Sequence, residues 1–118
     1  MKQPFEIIAV GQYVAEFLRE GKVILFSQPL PQDLADYCVV INRLPDGETL
    51  YPGRSLQIGQ QWREISAVGE VANANFTRLG HVTLSFDGAN QAELPGTVHL
   101  TGPVPEFLQV GDKIRLSS

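Results

Sequence analysis

Short apolar stretches separated by turn residues run the length of the chain, and most of them alternate apolar and polar positions with a period of two. In Gly80–Gly88, GHVTLSFDG, the side chains of Val82, Leu84 and Phe86 fall on one face and those of His81, Thr83, Ser85 and Asp87 on the other. The same reading predicts strands over Phe5–Val10, Lys22–Phe26, Tyr37–Ile41, Ser55–Ile58, Arg63–Val68, His81–Phe86, Thr97–Thr101 and Lys113–Leu116. Two short helices interrupt them. In Tyr13–Arg19, Val14, Phe17 and Leu18 form an i, i+3, i+4 stripe, and Asn75–Leu79 is stopped by Gly80. Leu44-Pro45-Asp46-Gly47 and Val110-Gly111-Asp112 read as chain reversals. The pattern is that of an all-β chain, a sandwich or a barrel, with one or two short helices. No internal repeat, low-complexity tract or linker stands out, so one domain is expected over residues 1–118.

Composition narrows the function classes. With 43% hydrophobic and 19% charged residues the chain is globular rather than disordered. The net charge is −4, and no lysine- or arginine-rich run could follow a phosphate backbone, so nucleic acid is not an expected partner. No apolar run reaches the roughly 20 residues that span a bilayer, and the start, MKQPFEIIAV, places an acidic residue where a signal peptide is apolar. A protein that is not membrane-embedded, working in the cytoplasm, is the expectation. A single cysteine, Cys38, excludes an internal disulfide and, with two scattered histidines, leaves no metal set. Cys38 lies in the apolar run YCVVI, where burial disfavours the thiolate, and reads as a core residue.

The polar face beginning at His81 is the first place to look for chemistry. A second polar-faced strand follows, with Thr97, His99 and Thr101 on one side. Joined as a hairpin through Pro95 and Gly96, the strands would set Ser85 opposite His99 and Asp87 opposite Thr97. His81 would then lie about 13 Å from His99 at about 3.3 Å per residue, too far to share a proton. Neutral imidazole is a nucleophile at pH 7 and a carboxylate can fix its tautomer, so His81 and His99 are candidate phosphoacceptors with Ser85 and Asp87 in support. The competing reading is a solvated polar strand face. A Ser-His-Asp hydrolase finds no GxSxG elbow in the chain.

The run GHVTLSFDGANQAELPGTVHLTGPVP resembles the C-terminal signature of the glucitol/sorbitol-specific enzyme IIA component of the bacterial phosphotransferase system. The similarity continues upstream through Asp33–Cys38 (DLADYC), Pro52-Gly53, Ile58–Gln60 and Ala67–Gly69, and so covers nearly the whole chain. The resemblance implies a small cytoplasmic β-barrel that takes a phosphoryl group from the histidine phosphocarrier protein. The group then passes to a IIB unit, which serves a membrane-embedded IIC partner, and no metal or organic cofactor is needed. By the same resemblance the acceptor histidine stands three or so residues beyond the YC of the DLxxYC element. Counting from Tyr37 and Cys38 puts Ile41 there, with Asn42 and Arg43 beside it and Tyr51 where a further family histidine is expected. The expectation is therefore a divergent member that lacks the usual phosphorylatable histidine and serves as a regulatory or binding module. Two alternatives stay open: an active phosphocarrier using His81 or His99, and a small-ligand-binding β-barrel.

Overall fold

In the computed structural model, which describes residues 3–118, eight strands close into a barrel. The first two residues of the expected 1–118 span lie outside the described residues. In chain order the elements are β1 (Phe5–Val10), α1 (Val14–Arg19), β2 (Lys22–Ser27), α2 (Gln32–Ala35), β3 (Val39–Ile41), β4 (Ser55–Ile58), β5 (Gln61–Val68), α3 (Ala72–Leu79), β6 (Val82–Ser85), β7 (Thr97–Leu100) and β8 (Lys113–Leu116). Around the barrel the strands run β1-β3-β2-β6-β7-β5-β4-β8, and β8 closes onto β1.

The period-two pattern explains the core. Ile7, Leu25, Ile41, Ile58, Ile65, Leu84 and Leu100, from seven different strands, fill the interior and are each at most 2% exposed. A smaller apolar cluster forms outside the wall, where Phe26, Cys38 and Val40 pack with Ile8, Ile24 and Leu30. Val14 and Leu18 of α1 and Ala72 and Phe76 of α3 turn onto the core, whereas Phe17, the third member of the expected stripe, stays partly exposed and packs against Tyr37 instead. Gly80 ends α3 in the left-handed conformation at φ +64°, and its N–H donates to the Phe76 carbonyl at 2.8 Å. Arg54, buried with Glu48 in a 2.7 Å ion pair, also donates to the carbonyls of Thr49 and Ser117 and so ties the β3–β4 connection to the chain end.

Five of the eight predicted strands shift by one or two residues at an end, and α2 has no counterpart among the predicted helices. None of its four residues is buried, so it leaves no apolar stripe to read. The larger difference concerns β6 and β7. They are parallel rather than a hairpin, with Thr83 beside Thr97 and Ser85 beside His99. Residues 86–96 therefore run back the length of the strand before β7 begins. The expected Ser85–His99 neighbours occur, but Asp87 does not face Thr97.

A second difference is internal symmetry. β1 lies antiparallel to β3 with a register break between Ile7 and Ala9, and β5 lies antiparallel to β7 with the same break between Ile65 and Ala67. β2 is parallel to β3 as β6 is to β7, α1 joins β1 to β2 as α3 joins β5 to β6, and β2 and β6 meet antiparallel across the dyad. Exchanging β1–β4 with β5–β8 maps the barrel onto itself. The echo of Ile7–Gly11 (IIAVG) in Ile65–Gly69 (ISAVG) is its trace in the chain, a repeat too diverged elsewhere for inspection to find.

Candidate functional site

The polar face is closed to solvent at its centre, although Asp87 and Thr101 at its ends stay exposed. Ser85, Thr97 and His99 are 2%, 1% and 1% exposed, because the returning segment after β6 folds across them. Its attachment is by hydrogen bonds. The Glu93 N–H donates to His99 Nε2 at 3.0 Å, and Ser66 Oγ donates to the Ala89 carbonyl at 2.7 Å. Because Nε2 accepts, the proton of neutral His99 sits on Nδ1 and is donated to Asp87 Oδ1 at 2.7 Å. Ser85 Oγ donates to the other Asp87 oxygen at 3.2 Å. Lys22 Nζ, from β2, bridges Ser85 Oγ at 3.4 Å and Glu93 Oε1 at 3.0 Å.

Both imidazole nitrogens of His99 are thus hydrogen-bonded inside the wall, one of them to the loop that crosses it. The serine does not complete a triad, since its hydroxyl points to the aspartate and not to the imidazole. Burial opposes ionisation of Asp87. The hydrogen bonds from His99, the Ala89 N–H and Ser85, with the field of His99, nevertheless hold its carboxyl below the ordinary range.

His81 is built differently. It follows Gly80 directly, half-buried just before β6, and its ring stacks on Phe26 with centroids 4.7 Å apart and planes 29° apart. Its Nδ1 lies 3.2 Å from the Leu25 carbonyl, which can only accept, so the proton is on Nδ1 and Nε2 carries the lone pair. Among the described residues Nε2 makes no hydrogen bond. In register His81 stands four positions before Ser85, the neighbour of His99, so the two histidines occupy separate places on the wall.

Ile41, at the end of β3, is 1% exposed and points into the barrel, paired with Ile7 on one side and Ser27 on the other. Cys38 is 3% exposed, and burial raises its thiol to about 11, as a core cysteine requires. The barrel interior is filled by side chains. The clefts beside Pro103–Gln109 and beside Trp62, the latter about 540 Å³, contain neither histidine. Among the described residues no set of three or more His, Cys, Asp and Glu could hold a metal ion, and no helix is long and apolar enough to cross a membrane. Sequence reasoning missed Glu93 and Lys22. Glu93 contributes a backbone N–H that no side-chain motif announces, and Lys22 reaches the cluster from a strand distant in the chain.

Comparison with known proteins agrees with this architecture. Residues 2–115 match the family model described as the glucitol/sorbitol-specific IIA component of the phosphotransferase system. The glucitol/sorbitol-specific EIIA components of Shigella flexneri and Escherichia coli K12 are each 39% identical over 112 residues, covering 95% of this chain and 91% of theirs. The crystal structure of the phosphotransferase-system IIA component from Enterococcus faecalis V583 superposes with a TM-score of 0.85. It is 28% identical, covering 96% of this chain and 98% of that one.

Proposed function

The chain belongs to the glucitol/sorbitol-specific IIA component family of the phosphotransferase system, and from that premise we propose that it is a cytoplasmic docking module of such a system that carries no phosphoryl group on β3. The observation that carries this reading is Ile41. The position to which the resemblance assigns the acceptor holds an isoleucine, with no nucleophilic atom, at 1% exposure in the barrel core. What the module keeps is a barrel wall and a surface able to meet the system's proteins, the histidine phosphocarrier protein and the IIB unit. Binding without transfer makes it a regulator, since it occupies a partner that would otherwise pass its phosphoryl group on.

One observation favours a second reading, a phosphocarrier that uses His81. The Leu25 carbonyl holds the Nδ1 proton, and Nε2 is left with its lone pair on a half-buried ring. In that reading Nε2 attacks the phosphorus of the donor's phosphohistidine, the donor's P–N bond breaks as the new one forms, and the Nδ1 proton stays against Leu25. His99 does not offer this, with both nitrogens engaged.

The test is incubation with phosphoenolpyruvate, enzyme I and the histidine phosphocarrier protein, followed by intact mass measurement. The docking reading expects no added phosphoryl group under conditions that label a histidine-bearing relative. Label that disappears in His81→Gln and survives in His99→Gln transfers the assignment to the second reading.

A further inference from the structure

The element DLADYC, which carries part of the family resemblance, is left unexplained by packing. Of its residues only Cys38 is buried, and α2, which it overlaps, buries no side chain at all. Its exposed members are instead gathered with α1. Tyr37 stacks on Tyr13 with centroids 5.1 Å and planes 27° apart, and the Phe17 ring is tilted by 50° to Tyr37 with centroids 6.0 Å apart. The Tyr13 N–H donates to the Asp36 carbonyl at 2.9 Å and fixes α1 against this segment. Tyr13, Tyr37 and Leu34 remain 36%, 43% and 44% exposed. One stacked pair, a tilted third ring and, on the neighbouring α2, an exposed leucine thus leave apolar surface uncovered among the described residues. A solvated face would gain nothing from that arrangement.

The charges flanking this surface in the chain are mostly acidic. Glu16 on α1 lies three positions after Tyr13, and Glu20, the residue after the helix, three after Phe17, which places both along the ring-bearing side. On the other flank Asp33 lies four positions before Tyr37, and Asp36 precedes it. None of the four carboxylates makes an ion pair among the described residues, whereas Glu6, Glu48, Asp87 and Glu93 all do. In these two stretches the one cation is Arg19 on α1, set between Leu18 and Glu20.

We infer that the Tyr13–Phe17–Tyr37 face is the docking surface of this module, and that its partner is a protein presenting arginine or lysine side chains around an apolar centre. A cation set over the face of Tyr37 or Tyr13 meets the ring quadrupole and a rim carboxylate together, and the partner's apolar residues cover Leu34 and Phe17. The exposed Phe107 and Val110, although Glu106 and Asp112 lie near them, make no comparable site, since neither takes part in a ring contact among the described residues.

This inference rests on the docking reading, and the experiment separates the two. The ¹⁵N-labelled protein is titrated with unlabelled histidine phosphocarrier protein and, separately, with a IIB unit, at two salt concentrations. The expected result is that one of these probes shifts amide resonances centred on Tyr13–Phe17 and Asp33–Cys38, with affinity falling as salt rises. Asp33→Lys with Asp36→Lys, which leaves the rings in place, weakens binding tenfold or more, and Tyr37→Ala does the same with the charges in place. Binding that shifts residues elsewhere, or that survives both variants, overturns this face and spares the docking reading. Failure of both probes to bind removes the docking reading and the face with it.

Discussion

At the scale of single residues, His99 shows how a buried polar side chain with both ring nitrogens engaged can hold a loop in place. Its Nδ1–H is given to Asp87 and its Nε2 receives the Glu93 N–H, so the imidazole joins the end of β6 to the loop that returns over it. The charge on Asp87 is part of that joint. Its folded pKa is depressed, so the stability it contributes is whole above the unfolded carboxylate value of about 3.9 and is lost as pH falls through the lower folded value. Asp87→Asn keeps an acceptor oxygen for His99 but has no charge to titrate. Urea midpoints measured at pH 7, 5, 4 and 3 are expected to fall more steeply in the wild type than in Asp87→Asn below about pH 4. Parallel profiles would show that Asp87 is not held in this way. The sequence made His99 and Asp87 visible as chemistry-bearing residues but not the burial of His99 beside an exposed Asp87. Part of what covers His99 is a backbone N–H in a segment without apolar pattern, and no residue type records it.

At the scale of elements, two glycines explain why the parallel pairs can form. The N–H of Gly11 donates to the Cys38 carbonyl at 2.9 Å, and its symmetry mate Gly69 donates to the Thr97 carbonyl at 2.8 Å. Each lets a returning segment pass directly over the end of an antiparallel neighbour. A Cβ on Gly11 would lie 2.2 Å from the Asp36 carbonyl oxygen, and one on Gly69 would lie 2.1 Å from that of Pro95. Backbone atoms cannot yield as a flexible side chain can, so Gly11→Ala and Gly69→Ala are each expected to cost about 3 kcal/mol of unfolding free energy. Gly96→Ala, whose Cβ would meet nothing closer than Asn75 Nδ2 at 4.0 Å, is expected to stay within about 0.5 kcal/mol of wild type. Chemical denaturation of the three variants checks this, and equal midpoints would sink the argument. The same loops mark the limit of what the chain discloses. Strand faces follow from alternation, and β1, β4 and β8 are read to the residue. Pairing does not follow from it. Residues 81–101 offer two alternating runs and a Pro-Gly between them, which fits a hairpin as well as a parallel return.

At the scale of the whole molecule, the dyad interlocks the two halves rather than setting them side by side. β4 pairs only with β5 and β8, and β8 only with β1 and β4, so the last strand of each half has at least one neighbour in the other. For β4 both neighbours are foreign, and for β8 both are. Neither half can close a sheet alone, because removing one takes away every partner of the other's last strand. Leu56 and Ile114, symmetry mates in these exchanged strands, are each 2% exposed in the common core. Unfolding is therefore expected to be one cooperative step, in which far-UV circular dichroism and the fluorescence of Trp62 on β5 give the same urea midpoint. Leu56→Ala and Ile114→Ala should each lower that shared midpoint, at a cost of about 3 kcal/mol apiece, without splitting the transition. The two substitutions sit in different halves of the chain, so a fold of independent halves would answer differently. One probe would then move and the other stay, and separate transitions in either variant would contradict the interlocked barrel.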